Sequence, residues 1–144
     1  MWSSRSYDYR HLVTLEETNL VGNVYFVNYL RWQGQCREHF LVDHAPGVLR
    51  ALRADLAMVT LSCHCDFFSE LYAADTVELR MTLEDMDETT VSMGFDYYRL
   101  ADSAELVARG TQTIGCTSRS AGNQWTVPVP EELRAALDPY KKVV

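Results

Sequence analysis

The pattern of apolar and polar positions changes period twice along the chain. Residues 6–15 (Ser-Tyr-Asp-Tyr-Arg-His-Leu-Val-Thr-Leu) alternate and carry aromatic and β-branched side chains, which predicts a first strand. From about Phe26 to Phe40 or Leu41 the apolar residues recur at helical spacing, with Trp32, Cys36 and Phe40 on one flank, and predict one long helix. Pro46 and Gly47 interrupt that period, and Val48 to Leu52 predicts one or two helical turns in a connector. Strand-like segments then follow over residues 56–69, 75–85, 89–101 and 104–118. Asp85-Met86-Asp87-Glu88 and Ala101-Asp102-Ser103 are too short for parallel crossovers, so they predict antiparallel neighbours. Pro130-Glu131-Glu132 predicts the start of a short helix over Leu133 to Leu137. One strong helix followed by four strands describes an α+β architecture.

Within the long helix, Phe26, Leu30, Gln33, Arg37, Phe40 and Leu41 share one face. Two polar residues interrupt that face in its middle, and two roles are open to them. Gln33 and Arg37 line a pocket or subunit interface, where a buried arginine must meet a partner. Alternatively the buried stripe is centred on Tyr29, Leu30, Cys36 and Phe40, and the two residues border it in solvent.

The chain has 144 residues, 47% of them hydrophobic, which suits a single domain over residues 1–144 with its own core. No apolar run approaches the roughly 18 to 20 residues that span a bilayer. Met-Trp-Ser-Ser-Arg-Ser-Tyr at the N-terminus lacks the apolar centre of a signal peptide, so a cytoplasmic protein with no membrane partner is expected. A net charge of −7 argues against a nucleic-acid partner, which requires clustered Lys and Arg. An acidic partner such as a phosphopantetheine carrier would need a local basic patch, and the arginines here are scattered along the sequence.

Cys36, Cys63, Cys65 and Cys116 form no C-x-x-C pair and have no histidine at zinc-ligand spacing, so structural roles and no metal are expected. In Cys63-His64-Cys65 strand alternation turns the imidazole away from both thiols. His11, His39, His44 and His64 show no paired acid and are read as non-catalytic. Trp32, Phe67, Phe68 and Met93 are read as core, with a wall of an apolar acyl channel as the other role open to them.

Chemistry concentrates in Glu17-Thr18-Asn19-Leu20-Val21-Gly22-Asn23-Val24-Tyr25, a polar turn feeding the long helix. Asn19, Gly22 and Asn23 tolerate left-handed or side-chain-capped backbone. A helix start leaves about four N–H groups unpaired and carries roughly half a positive charge, enough to polarise a carbonyl. Glu17, two residues before Asn19, is a candidate base if both face one side of an extended turn.

A strand, a loop, one long helix and a four-strand antiparallel meander together resemble the hotdog fold, an antiparallel sheet wrapped around one central helix. The loop resembles the D-T-D-x-x-G-x-V-Y pattern of thioesterases of the 4-hydroxybenzoyl-CoA type, with Asn28-Tyr29 and Arg37 following. Asp66-Phe67-Phe68 through Ala74-Asp75 stands where that family often has an aromatic residue and a Gly-Asp pair opening a strand. The second acid of the family turn is Asn19 here, and the helix carboxylate of some relatives falls near Gly34. Glu17 to Phe26, with Gln33 and Cys36-Arg37-Glu38, is most similar to the thioesterases of enediyne polyketide pathways, the calicheamicin and dynemicin type.

That resemblance implies antibiotic biosynthesis, with release of a linear polyene β-ketoacyl chain from the acyl carrier domain of an iterative polyketide synthase. The β-keto acid formed can then lose carbon dioxide. It implies catalysis by Asn19 and Arg37, oxyanion or substrate contacts from Gly22, Asn23, Tyr25, Tyr29 and Gln33, and neither metal nor nucleotide cofactor. It also implies a homotetramer, a dimer of dimers with sites at subunit interfaces. An amide is not a base at neutral pH, so Asn19 is expected to orient water or donate to the thioester oxygen. A general acyl-CoA thioesterase and a non-hydrolytic acyl-binding module remain as the other two functions open to the chain.

Overall fold

The computed structural model describes residues 5–120 and 125–143. Strand β1 (Tyr7–Leu12) is followed by a 3-10 turn (Leu15–Glu17), helix α1 (Val27–His44), helix α2 (Pro46–Leu52) and strand β2 (Leu56–Phe67). Strands β3 (Thr76–Met86), β4 (Thr90–Leu100) and β5 (Ala104–Ser118) come next, then helix α3 (Glu131–Leu137) and a closing 3-10 turn (Asp138–Tyr140).

The first strand stops at Leu12, earlier than its alternation suggests, because Thr14 and Glu17 form a capping box that turns the backbone. Helix α1 runs to His44 and ends where Ala45 leaves helical geometry before Pro46, which opens α2 as its first residue. All five strands are antiparallel neighbours in the order β1-β3-β4-β5-β2. The expected four-strand meander is therefore corrected. Only β3, β4 and β5 form one, while β2 pairs along its whole length with β5 and stands at the far edge.

Alternation gives the sheet one apolar and one polar face. Leu79, Met81, Phe95, Tyr97 and Ile114 are buried together with Trp32, Cys36 and Phe40 of α1. The opposite face carries ion pairs, across strands from Arg10 to Glu78 and from Arg109 to Asp96, and along β3 from Arg80 to Glu78. This is the hotdog arrangement, with α1 lying along a curved antiparallel sheet. Trp32 and Met93 belong to the core as expected, whereas Phe67 and Phe68 are exposed at the end of β2. Cys36 and Cys116 are buried, in keeping with structural roles, whereas Cys63 is exposed on the edge strand. No helix among the described residues is long and apolar enough to cross a membrane.

Candidate active site

Asn19 sits at the head of a tight loop that its own side chain helps to close. Its Oδ1 accepts the Val21 N–H at 3.0 Å, its carbonyl accepts the Gly22 N–H at 3.0 Å, and its N–H donates to Asn23 O at 2.9 Å. Gly22 adopts a φ of +95°, which a side chain would resist. The loop is pinned to the body of the domain by Val24 N–H on Leu71 O and by Asn23 Nδ2 on Glu70. Asn19 itself remains exposed.

Beneath the loop, Glu17 is the anchor. Its carboxylate is buried and accepts from the Thr14 N–H (2.8 Å), the Thr14 hydroxyl (3.1 Å), His11 Nε2 (2.8 Å) and the Trp32 indole (2.9 Å). Its backbone carbonyl accepts the Asn28 side-chain amide and the Tyr25 N–H. Burial pushes the Glu17 carboxyl up, but the hydrogen bonds from Thr14, His11 and Trp32 outweigh it and hold the group below the ordinary glutamate value. His11 therefore has a paired acid, contrary to the sequence reading, as does His64 with Asp66 at 3.1 Å. The T-x-x-E pattern of Thr14 to Glu17 is a capping-box signature, and it is the sequence signal for this anchor.

Glu17 and Asn19 do not share a face: one points inward to Trp32 and the other lies in solvent. Of the amides from Gly22 to Tyr29, Gly22, Val24, Tyr25, Asn28 and Tyr29 already donate to backbone carbonyls. The field for an oxyanion narrows to Asn23, Phe26 and Val27, whose N–H groups have no backbone acceptor among the described residues, the last two standing at the start of α1.

Asn19, Tyr25, Asn28, Arg31 and Gln35 line a cleft of about 480 Å3 with the 3-10 turn. Arg37 is elsewhere. Nine residues at 100° each place it about 180° around the helix from Asn28. There it lines an apolar groove of about 590 Å3 with Leu41, Leu49, Leu52, Met58 and Val59, and its Nη1 donates to Gln112 Oε1 at 2.7 Å. The structure of one chain thus brings Asn19 together with Tyr25 and Glu17, and does not bring it to Arg37.

Gln33 is fully buried, so the solvent-bordering role does not hold for it. Its Nε2 donates to His64 O at 3.2 Å, while its Oε1 has no hydrogen-bond partner among the described residues. Gly110 makes this fit possible, since a Cβ there would lie 2.5 Å from Gln33 Nε2. Tyr29 is buried against Trp32, Phe67 and Tyr97, and burial pushes its phenol up to about 12. Its carbonyl accepts the Tyr97 hydroxyl at 2.7 Å.

A family model described as the thioesterase-like superfamily matches residues 13–137, which include the anchor, the loop, α1 and the whole meander. The chain belongs to the thioesterase-like superfamily. As a member of it, the protein is a thioester hydrolase. Among solved structures, the dynemicin thioesterase, studied for polyene binding, is 54% identical, with a TM-score of 0.92 over 96% of this chain and 99% of that one. A 4-hydroxybenzoyl CoA thioesterase in complex with 4-hydroxybenzoyl CoA shares the fold at 14% identity, with a TM-score of 0.82 over 94% of this chain and 100% of that one. A 1,4-dihydroxy-2-naphthoyl-CoA hydrolase of Prochlorococcus marinus is 22% identical over 61% of this chain and 62% of its own length.

Proposed function

We propose that this thioesterase hydrolyses a polyene β-ketoacyl thioester carried on the acyl carrier domain of an iterative enediyne polyketide synthase, and that the β-keto acid then loses carbon dioxide. The observation that supports this reading best is the 54% identity to the dynemicin thioesterase over nearly the whole chain. In this reading the thioester carbonyl meets the Phe26 and Val27 amides at the start of α1, and Asn19 orients the attacking water. An oxyanion donor of this kind is worth about 3 to 4 kcal/mol of transition-state stabilisation. Glu17 does not take the proton directly, since both its oxygens already accept hydrogen bonds. Glu17 then serves as the structural anchor, and hydroxide or polarised water attacks.

Arg37 completes the site only across two chains. β2 is an edge strand with Leu61, Cys63 and Phe67 exposed, and a two-fold antiparallel pairing centred within it makes a continuous sheet. Antiparallel pairing sets the start of β2, where Met58 and Val59 border the Arg37 groove, beside the end of the same strand in the other copy. At that end Phe67 packs on Tyr29, one turn into α1 and close to the loop. Arg37 in this arrangement faces the partner subunit's Asn19, and two such dimers make the tetramer.

The test is direct. Purified protein mixed with a polyene-loaded synthase should yield free acid or methyl ketone, and Arg37→Ala should slow release roughly tenfold or more, about 1.4 kcal/mol at least. Equal cleavage of short acyl-CoA would instead favour the general acyl-CoA thioesterase, and tight acyl binding without turnover the binding module.

A further inference from the structure

The protein is acidic overall, with a net charge of −7, and five of its thirteen lysines and arginines pair with carboxylates among the described residues. Arg10 and Arg80 share Glu78, Arg99 holds Asp75 and Glu105, Arg109 holds Asp96, and Lys142 holds Glu84. Arg31 lies in the Asn19 cleft beside Glu16 and Glu17. Eight cations have no carboxylate within 4.0 Å among the described residues: Arg5, Arg31, Arg134, Lys141, and the set Arg37, Arg50, Arg53 and Arg119.

Two of this last set line one groove, and the other two stand on the helix that walls it. Arg37 and Arg119 line the apolar groove between α1, α2 and the start of β2, and Leu49 and Leu52 of α2 form part of its wall. Arg50 and Arg53 are each the next residue along from those two leucines and are exposed. Among the described residues Arg119 engages only its Nε, on Leu56 O at 3.3 Å, of its guanidinium nitrogens. The acids nearby are few. Glu38 borders the groove, Asp55 accepts from Ser118 Oγ and Ser120 N–H, and Glu132 is at the far end of α2 on the Gly47 N–H.

A positive rim on a negative protein, around an apolar groove, has a definite chemical complement: a partner with an acidic face that delivers an apolar chain through a phosphate-bearing arm. Arginine suits that partner because its planar fork binds phosphate in bidentate fashion and stays charged when half-buried. Opposed potentials also steer such a partner toward the patch against the repulsion of the two net charges. We propose that Arg50, Arg53 and Arg119 form the docking surface for an acidic acyl carrier domain, whose phosphopantetheine-linked acyl chain enters the groove past Arg37. This proposal rests on the polyketide thioesterase reading above and assigns its carrier a place on the fold. A free polyanion is a poor match, because the rim is short and the protein as a whole is acidic.

The experiment titrates the intact protein with a fluorescently labelled holo acyl carrier domain from an iterative polyketide synthase, at low and at high salt. The double variant Arg50→Glu, Arg53→Glu should weaken binding about tenfold or more, about 1.4 kcal/mol, and flatten the salt dependence. The conservative Arg50→Lys, Arg53→Lys variant should keep most of the affinity. Unchanged binding by the glutamate variant, or no binding by the wild type, overturns the proposal. A second readout compares one acyl group on the carrier and on N-acetylcysteamine. The glutamate variant should raise KM for the carrier-borne substrate far more than for the small thioester, and equal losses on both also overturn it. If neither thioester is cleaved by the wild type the hydrolytic reading fails, while the binding titration still decides the docking surface.

Discussion

The Glu17 carboxylate and the Trp32 indole are joined by a buried 2.9 Å hydrogen bond that ties the Asn19 loop to the central helix. The other Glu17 oxygen accepts the Thr14 N–H at 2.8 Å. Both partners can only donate. Glu17→Gln therefore sets an NH2 group against one of them whichever way the amide turns, and should cost about 2 to 3 kcal/mol at neutral pH. Because the folded state holds this carboxyl below its ordinary value, its stabilisation is present above the unfolded glutamate value and lost as pH falls through the folded one. Denaturant titrations should thus show the gap between wild type and variant shrinking on the acid side of about pH 4.5. A gap that stays constant down to about pH 3 would show that the carboxylate charge contributes nothing.

Asn19 and Arg37 stand on different sides of α1, in cavities that share no lining residue. A site built from both must draw on two chains. Co-expression of Asn19→Ala and Arg37→Ala subunits should then restore activity to about a quarter of wild type, since half the dimers are mixed and each has one intact site. If co-assembled subunits are no more active than either variant alone, Asn19 and Arg37 do not work across the interface.

Ala74 adopts a φ of +74° in the link between β2 and β3, where it donates its N–H to Val13 O. An L-residue loses about 1 to 2 kcal/mol in this left-handed region, and glycine loses somewhat more entropy on folding than alanine. Ala74→Gly should raise stability by about 0.5 to 1 kcal/mol, a Tm shift of about 2 to 3 °C. Calorimetry that finds a lower Tm would mean the left-handed backbone is not strained.

Gly110 faces Gln33 across the buried seam between α1 and the sheet. A methyl group there would meet Gln33 Nε2 and the backbone oxygen of His64, both at 2.5 Å. Gly110→Ala should cost about 1 to 3 kcal/mol. Adding Gln33→Ala should recover only part of that, because the His64 carbonyl stays in place. Full recovery in the double variant, by thermal unfolding, would put the whole clash on the amide.

Much of this was legible in the chain. The change from strand to helical period near Phe26 located α1, and the short polar turns located β3, β4 and β5, because local backbone preferences set these features. The place of β2 was not legible. A strand's alternation says which face is buried, not which neighbour it joins, and β2 passes β3 to pair with β5. Phe67 and Phe68 were read as core for the same reason, since their exposure follows from β2 standing at the edge.

For the site, the sequence by itself determined the loop: Asn19, Gly22 and the capping pair Thr14 and Glu17 are local chemistry, fixed by residues within a few positions of each other. Only the tertiary structure decided that Glu17 is saturated by His11 and Trp32, that Gln33 is buried against Gly110, and that Arg37 and Arg119 meet at one groove. These depend on contacts between residues far apart in the chain, made by packing. The separation of Asn19 from Arg37 follows from both, since helical geometry sets the angle between Asn28, which shares the Asn19 cleft, and Arg37, and packing against the sheet sets which side each one faces.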